Sequence, residues 1–184
     1  AQYFRSFAAQ VQSKAGDQWS YFQAKRLRSV MQRNTLDLLR STTTVRPLDE
    51  AALRQFGDLA PQTIAALQTG QIPPPPPAAL DPKVHAALEA VEDSKPESEI
   101  TPLLQNLKAK DLDEALKQAK AQAQAFDLTL QPINEALDRI DKSLAATPSG
   151  DATRDFTAAR LRYTGFRYDS EARLNQAVAN VLEL

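Results

Sequence analysis

The sequence predicts an all-α fold: three long antiparallel helices in an elongated bundle, with a small helical cap from the middle segment. Three observations predict it. Apolar residues recur at spacings of three and four along three long stretches. Gly is scarce, at 5 residues, while Ala, Leu, Gln, Lys, Arg and Glu are plentiful, which is helix-forming composition. Caps, prolines and glycines punctuate the chain where those stretches stop. The whole chain, 1–184, reads as a single helical domain. Long helices are expected at about 2–41, 111–145 and 151–184, and the cap with its polyproline connector at about 48–109.

The first stretch contains no Pro. Phe4, Phe7, Val11, Ala15, Trp19 and Phe22 form its stripe, and Leu27, Val30, Met31, Leu38 and Leu39 carry it on with a shift in phase. Ser41 to Thr44, ahead of Pro47, should end it. Short helices follow. Asp49 is placed to cap the first, with Leu48 and Leu53 as a hydrophobic staple and Gly57 as its stop. Pro61 opens another that Gly70 closes. Pro73 to Pro77 must be extended, reaching about 15 Å as polyproline II. Asp81-Pro82 restarts a helix. Asp93 to Glu99 reads as a polar break, and Thr101-Pro102 as the start of a short helix through Leu107.

The strongest pattern is Leu112, Leu116, Ala119, Ala123, Phe126, Leu130, Ile133, Leu137, Ile140 and Leu144, spaced alternately four and three apart. This is a heptad seam. Asp111 and Glu114 read as its capping box. Pro132 should kink the helix without breaking it. Thr147-Pro148-Ser149-Gly150 is a turn. Phe156, Ala159, Tyr163, Phe166, Ser170, Leu174, Ala177, Val181 and Leu184 then stripe the last helix. The seam helix should be the central strut, since only the first and last helices are long enough to cover it.

Function is harder to read. With no Cys, thiolate chemistry is excluded. A net charge of −1 steers the chain to no polyanion. No run of 18 apolar residues exists to span a bilayer. The chain does not begin with Met, so a processed or excised segment is expected. His85 is the only histidine, and the paired carboxylates sit at helix starts, where they complement the macrodipole. No catalytic residue, metal site or cofactor is therefore expected. The cationic residues Lys25, Arg26 and Arg28, and Arg160, Arg162, Arg167 and Arg173, are the candidate binding groups. Tyr163 and Phe166 interleave with the second set but fall on the apolar stripe, so core positions are expected for both. Asp169 and Arg173 are spaced to pair along the helix.

Asp17-Gln18-Trp19-Ser20-Tyr21-Phe22-Gln23-Ala24-Lys25 resembles the D-x-W-x-Y-[YF]-Q-A-[KR] signature of bacterial domain-of-unknown-function family 4337 and its relatives. The run Arg167 to Ala177 resembles the closing helix of those proteins. The resemblance marks Trp19, Tyr21, Phe22, Gln23 and Lys25 as motif residues. It implies a membrane-anchored protein, of the bacterial inner membrane, with transmembrane helices outside this segment and the side of the soluble part open. It implies no activity. Trp19 and Phe22 are expected in the core, against the terminal helix. The expected function is a membrane-tethered helical scaffold or protein-interaction module without catalysis. The alternative is a binder of anionic lipid or nucleic acid through the arginine clusters, with nucleic acid disfavoured. The protein partner is unspecified, and monomer and homodimer both stay open.

Overall fold

The computed structural model describes residues 2–147 and 149–184, apart from the side chains of Tyr3 and Phe4. Among these residues the chain forms seven helices and no strand. They are α1 (Gln2–Thr42), α2 (Glu50–Arg54), α3 (Pro61–Thr69), α4 (Pro82–Glu92), α5 (Glu97–Gln105), α6 (Ala109–Ala146) and α7 (Gly150–Leu182). The expected stripe position Phe4 and turn position Pro148 lie outside what is described.

Local chemistry accounts for most boundaries. The Asp49 carboxylate accepts from the Ala52 N–H at 2.8 Å, and Leu48 and Leu53 are buried as a staple. Pro61 opens α3, and Gly70 closes it at φ +72°. Asp81 accepts from the Lys83 N–H at 2.8 Å, with Pro82 at the first position of α4. Two starts differ from the sequence reading. α5 begins at Glu97, not Thr101, because Pro96 presets the entry and Glu97 and Glu99 complement the dipole of the first turn. Pro102 is then carried inside the helix. α6 begins at Ala109, and Asp111 sits in its first turn. There it accepts from the Lys108 N–H at 3.0 Å, the reverse half of a capping box. Glu114 instead accepts from Gln118 at 3.0 Å, one turn on.

The chain divides into two compact units. Unit 1 holds residues 1–23, 75–125 and 172–184; unit 2 holds 24–74 and 126–171. The middle segment, expected as one cap, splits between them: α2 and α3 belong to unit 2, α4 and α5 to unit 1. In unit 1, Val84 of α4, Ala115 of α6 and Val181 of α7 form the buried centre, with Leu80, Leu88, Leu107, Leu116 and Leu184 packed against it. The Pro76 carbonyl accepts from the Gln122 side chain at 2.9 Å, which ties the proline run to α6.

In unit 2 the α6 seam residues Phe126, Leu130, Ile133, Leu137 and Ile140 are all buried, as are Phe156 and Tyr163 of α7. Phe56 meets Phe156 edge to face at 5.6 Å. α6 runs unbroken through Pro132. Pro132 and Leu128 both face outward, so the carbonyl that loses its partner can be hydrated.

Of the two helices α6 and α7, α7 is the more covered. Between Ala152 and Leu182 only Thr157, Phe166 and Arg173 stand exposed, whereas α6 keeps a solvated face along Asp127, Leu128, Gln131, Glu135 and Asp138. Small side chains let α1 approach α7 in unit 2. Ser29 is buried and its hydroxyl donates to the Gly165 carbonyl at 3.0 Å. A Cβ on Gly165 would meet Gln32, Arg33 and the Ser29 carbonyl at 3.7–3.8 Å.

Neighbouring leucines test this register. Leu130 is 1% exposed and Leu128 68%. Leu130→Ala should cost about 2–5 kcal/mol by urea denaturation. Leu128→Ala should stay within about 0.5 kcal/mol. Equal costs would mean that α6 is rotated from the orientation described.

Candidate functional site

The inward side of α1 sets which charges meet. Val11, Ala15, Gln18, Phe22, Lys25, Ser29, Gln32, Leu36 and Leu39 are each buried or half-buried. They are spaced alternately four and three apart, a heptad seam. The expected stripe shares Val11, Ala15, Phe22 and Leu39 with this seam, but its members Leu27, Val30, Met31 and Leu38 are exposed. The true seam is polar at Gln18, Lys25, Ser29 and Gln32, so hydropathy alone steered away from it. Its signal was the unbroken spacing.

In unit 2 this polar stretch delivers cations to acids on α7. Lys25 pairs with Glu171, and both Arg26 and Arg33 pair with Asp169. Asp169 therefore does not pair with Arg173, the expected local partner. Arg167 donates to Asn134 Oδ1 at 3.0 Å and lies 3.6 Å from Glu171. The Tyr163 hydroxyl donates to the same Asn134 oxygen at 3.0 Å. Cations surround the Tyr168 ring, with Arg167 at 4.9 Å, Lys25 at 5.7 Å and Arg28 at 5.9 Å from its centroid. Arg160 pairs with Asp138 and Asp141 of α6 and donates to the Leu137 carbonyl at 3.3 Å. A cleft of about 320 Å³ opens beside Arg160, Arg167, Tyr168 and Asn134.

The candidate residues thus separate. Lys25, Arg28 and Arg167 converge on Tyr168. Arg26 and Arg160 are neutralised by carboxylates. Arg162 donates to the Leu67 and Gln68 carbonyls at 3.1 and 2.8 Å, closing the C-terminal end of α3. Arg173 lines a cleft of about 570 Å³ in unit 1 with Glu92 and Glu183.

The aromatic motif residues also divide. In unit 1, Trp19 is half-buried, donates to Glu183 and meets Phe22 edge to face at 5.6 Å. Trp19 reaches Glu183 just beyond the terminal helix, but both rings are only half-buried, so neither takes the expected core position. Tyr21 and Gln23 are exposed, one face away from the seam. Tyr163 is fully buried, as expected. Phe166 is not core: it is 41% exposed and lies over Gly70, where an added Cβ would come within 2.8 Å of its ring. Asn134, Ser29 and Gly165 were missed, because single small or polar residues carry no periodic signal.

Burial pushes the Tyr163 phenol up to about 12, with Arg167 opposing and Glu171 adding to the shift. Desolvation, and then the Glu171 charge, hold the Asp127 carboxyl above its usual range, while Lys25 and Arg167 oppose them. Among the described residues no group of three or more His, Cys, Asp and Glu could hold a metal ion. No helix among them is long and apolar enough to cross a membrane. No family model, no curated protein and no solved structure matches the chain.

Tyr163 yields a pH prediction. Its folded value is raised, so its contribution is complete below about pH 10 and is lost as pH rises through about 12. Urea midpoints measured from pH 8 to 12 should fall more steeply for the wild type than for Tyr163→Phe. Parallel curves would remove Tyr163 from the network.

Proposed function

We propose that the protein is a non-catalytic helical interaction module. Its long helices form an antiparallel three-helix bundle, and a second copy docks on the outward face of α1. One observation carries the reading: Leu27, Val30, Met31 and Leu38 are 61%, 48%, 56% and 64% exposed on a single face. Scattered exposed apolar residues are ordinary, but four aligned on one helix face signal a contact surface. It lies opposite the buried positions Ser29 and Leu36, so the chain's own packing does not use it. From Leu27 to Leu38 it extends about 17 Å along the helix.

A second copy suits the spacing. Leu27, Met31, Asn34 and Leu38 step by four, three and four, which is heptad spacing. The pattern is also its own mirror about the midpoint between Met31 and Asn34. In a two-fold antiparallel pairing, Leu27 would face Leu38 of the other copy, and Met31 would face Asn34. An isologous interface needs such self-complementarity. The centre of the stripe bears no charge, so pairing buries none. The resemblance adds membrane anchoring to this reading, and the anchor would lie in flanking sequence. The alternative, a polyanion binder through the arginine clusters, draws less support, because acids already neutralise Lys25, Arg26 and Arg160.

Light scattering at increasing concentration tests the proposal. The 20.3 kDa chain should approach twice its mass, and Leu27→Asp/Leu38→Asp should stay monomeric with unchanged helicity. A wild type that remains monomeric at about millimolar concentration, or a variant that still dimerises, would sink self-pairing on this face.

A further inference from the structure

The arginines left unpaired point elsewhere. After α1 ends, the chain turns through Thr43 to Pro47 against α7 and the end of α3, and a cleft of about 450 Å³ opens there in unit 2. Arg40, Arg46 and Arg162 line it. Among the described residues none of the three pairs with a carboxylate, although acids partner Lys25, Arg26, Arg33, Arg54, Arg154, Arg160 and Arg167. The Arg162 Nε is buried and has no hydrogen-bond partner. The Thr44 hydroxyl also lines the cleft and makes no hydrogen bond among the described residues.

The negative groups nearby do not balance these cations. Asp155, the one acid lining the cleft, accepts from the Arg46 backbone N–H at 2.9 Å and is shared with Arg154 at 3.4 Å. The C-terminal ends of α1 and α3 each supply about half a negative charge. Together these offset about two of three positive charges. Burial and the Arg40 charge hold the Arg162 guanidinium below its usual range. Two like charges so placed gain from an anion between them. Leu48 and Leu67, both buried, supply an apolar floor.

We infer that this cleft is a binding site for a small ligand with an anionic head, a phosphate or a carboxylate, on an apolar body. Arg40 and Arg46 hold the head from the solvent side. Thr44 supplies a donor, and the ligand body lies on Leu48 and Leu67. The cleft volume falls within the range of small-molecule sites, about 300–1,000 Å³. The site is independent of self-pairing through the outward face of α1.

Calorimetric titration of the full chain with phenyl phosphate and with benzoate, at fixed ionic strength, tests the site. One-site saturation by at least one probe is expected, and the probe that binds identifies the head. Arg40→Ala/Arg46→Ala removes two exposed side chains that hold no partner, so circular dichroism should be unchanged while affinity falls at least about tenfold. Arg139→Ala, outside the cleft, should bind like the wild type. If neither probe saturates, if the double variant keeps wild-type affinity, or if Arg139→Ala loses as much, the site is refuted.

Discussion

A helix covered on nearly every side must have its charged groups answered from within the protein, and α7 is such a helix. It carries Arg154, Asp155, Arg160, Arg162, Arg167, Asp169 and Glu171 at half-buried positions. A partly desolvated charge that loses its partner is destabilising, so the neighbours of α7 are constrained by chemistry as well as by shape. The pairs meet that demand: α6 offers Asp138 and Asp141 to Arg160, and α1 offers Lys25 to Glu171 and both Arg26 and Arg33 to Asp169. Arg162 is answered by backbone carbonyls at the end of α3. Dispersion and burial hold the core, but this pairing selects one rotation of α1 against α7.

That selection explains the unusual face of α1. Apolar residues would ordinarily turn inward. Turning Leu27, Met31 and Leu38 toward α7 would rotate Lys25, Ser29 and Gln32 away from it, breaking the Lys25–Glu171 pair and the Ser29–Gly165 bond. Each exposed leucine forgoes about 1.5–3 kcal/mol of burial. The Ser29 hydroxyl also reaches the Gly165 carbonyl at 3.0 Å, a bond that an apolar side chain at that position could not make. The apolar residues are displaced outward as a consequence, onto a surface where a second molecule can recover their burial.

Much of the fold was legible because its signals are local. Asp49, Pro61, Gly70, Asp81 and Pro82 act through backbone groups two to four residues away, so short sequence windows contain the whole interaction. The α6 seam was legible for a similar reason: its ten positions are apolar, and hydropathy and spacing agree. On α1 they disagree. The spacing of Ala15, Phe22, Ser29 and Leu36 was intact, but apolar residues one position aside drew the reading off phase. Phe166 failed for a different reason. Its ring packs on a backbone made accessible by Gly70, nearly a hundred residues earlier, and a stripe on one helix carries no information about that.

The charges were least legible of all, and distance in the chain is the cause. Asp169 and Arg173 are four residues apart and invite pairing, yet Asp169 meets Arg26 and Arg33, 143 and 136 residues earlier. Local pairs at exposed sites are worth only about 0.2–0.5 kcal/mol, too little to hold a carboxylate that two cations of a neighbouring helix can reach. Basic residues that look alike in sequence therefore have different fates. Arg26 and Arg160 are consumed by the bundle, whereas Arg40 in the last turn of α1 and Arg46 just beyond it pair with no carboxylate among the described residues. A cation that tertiary structure leaves unanswered, beside a guanidinium that is already crowded, is therefore better evidence of ligand chemistry than any count of arginines along a helix.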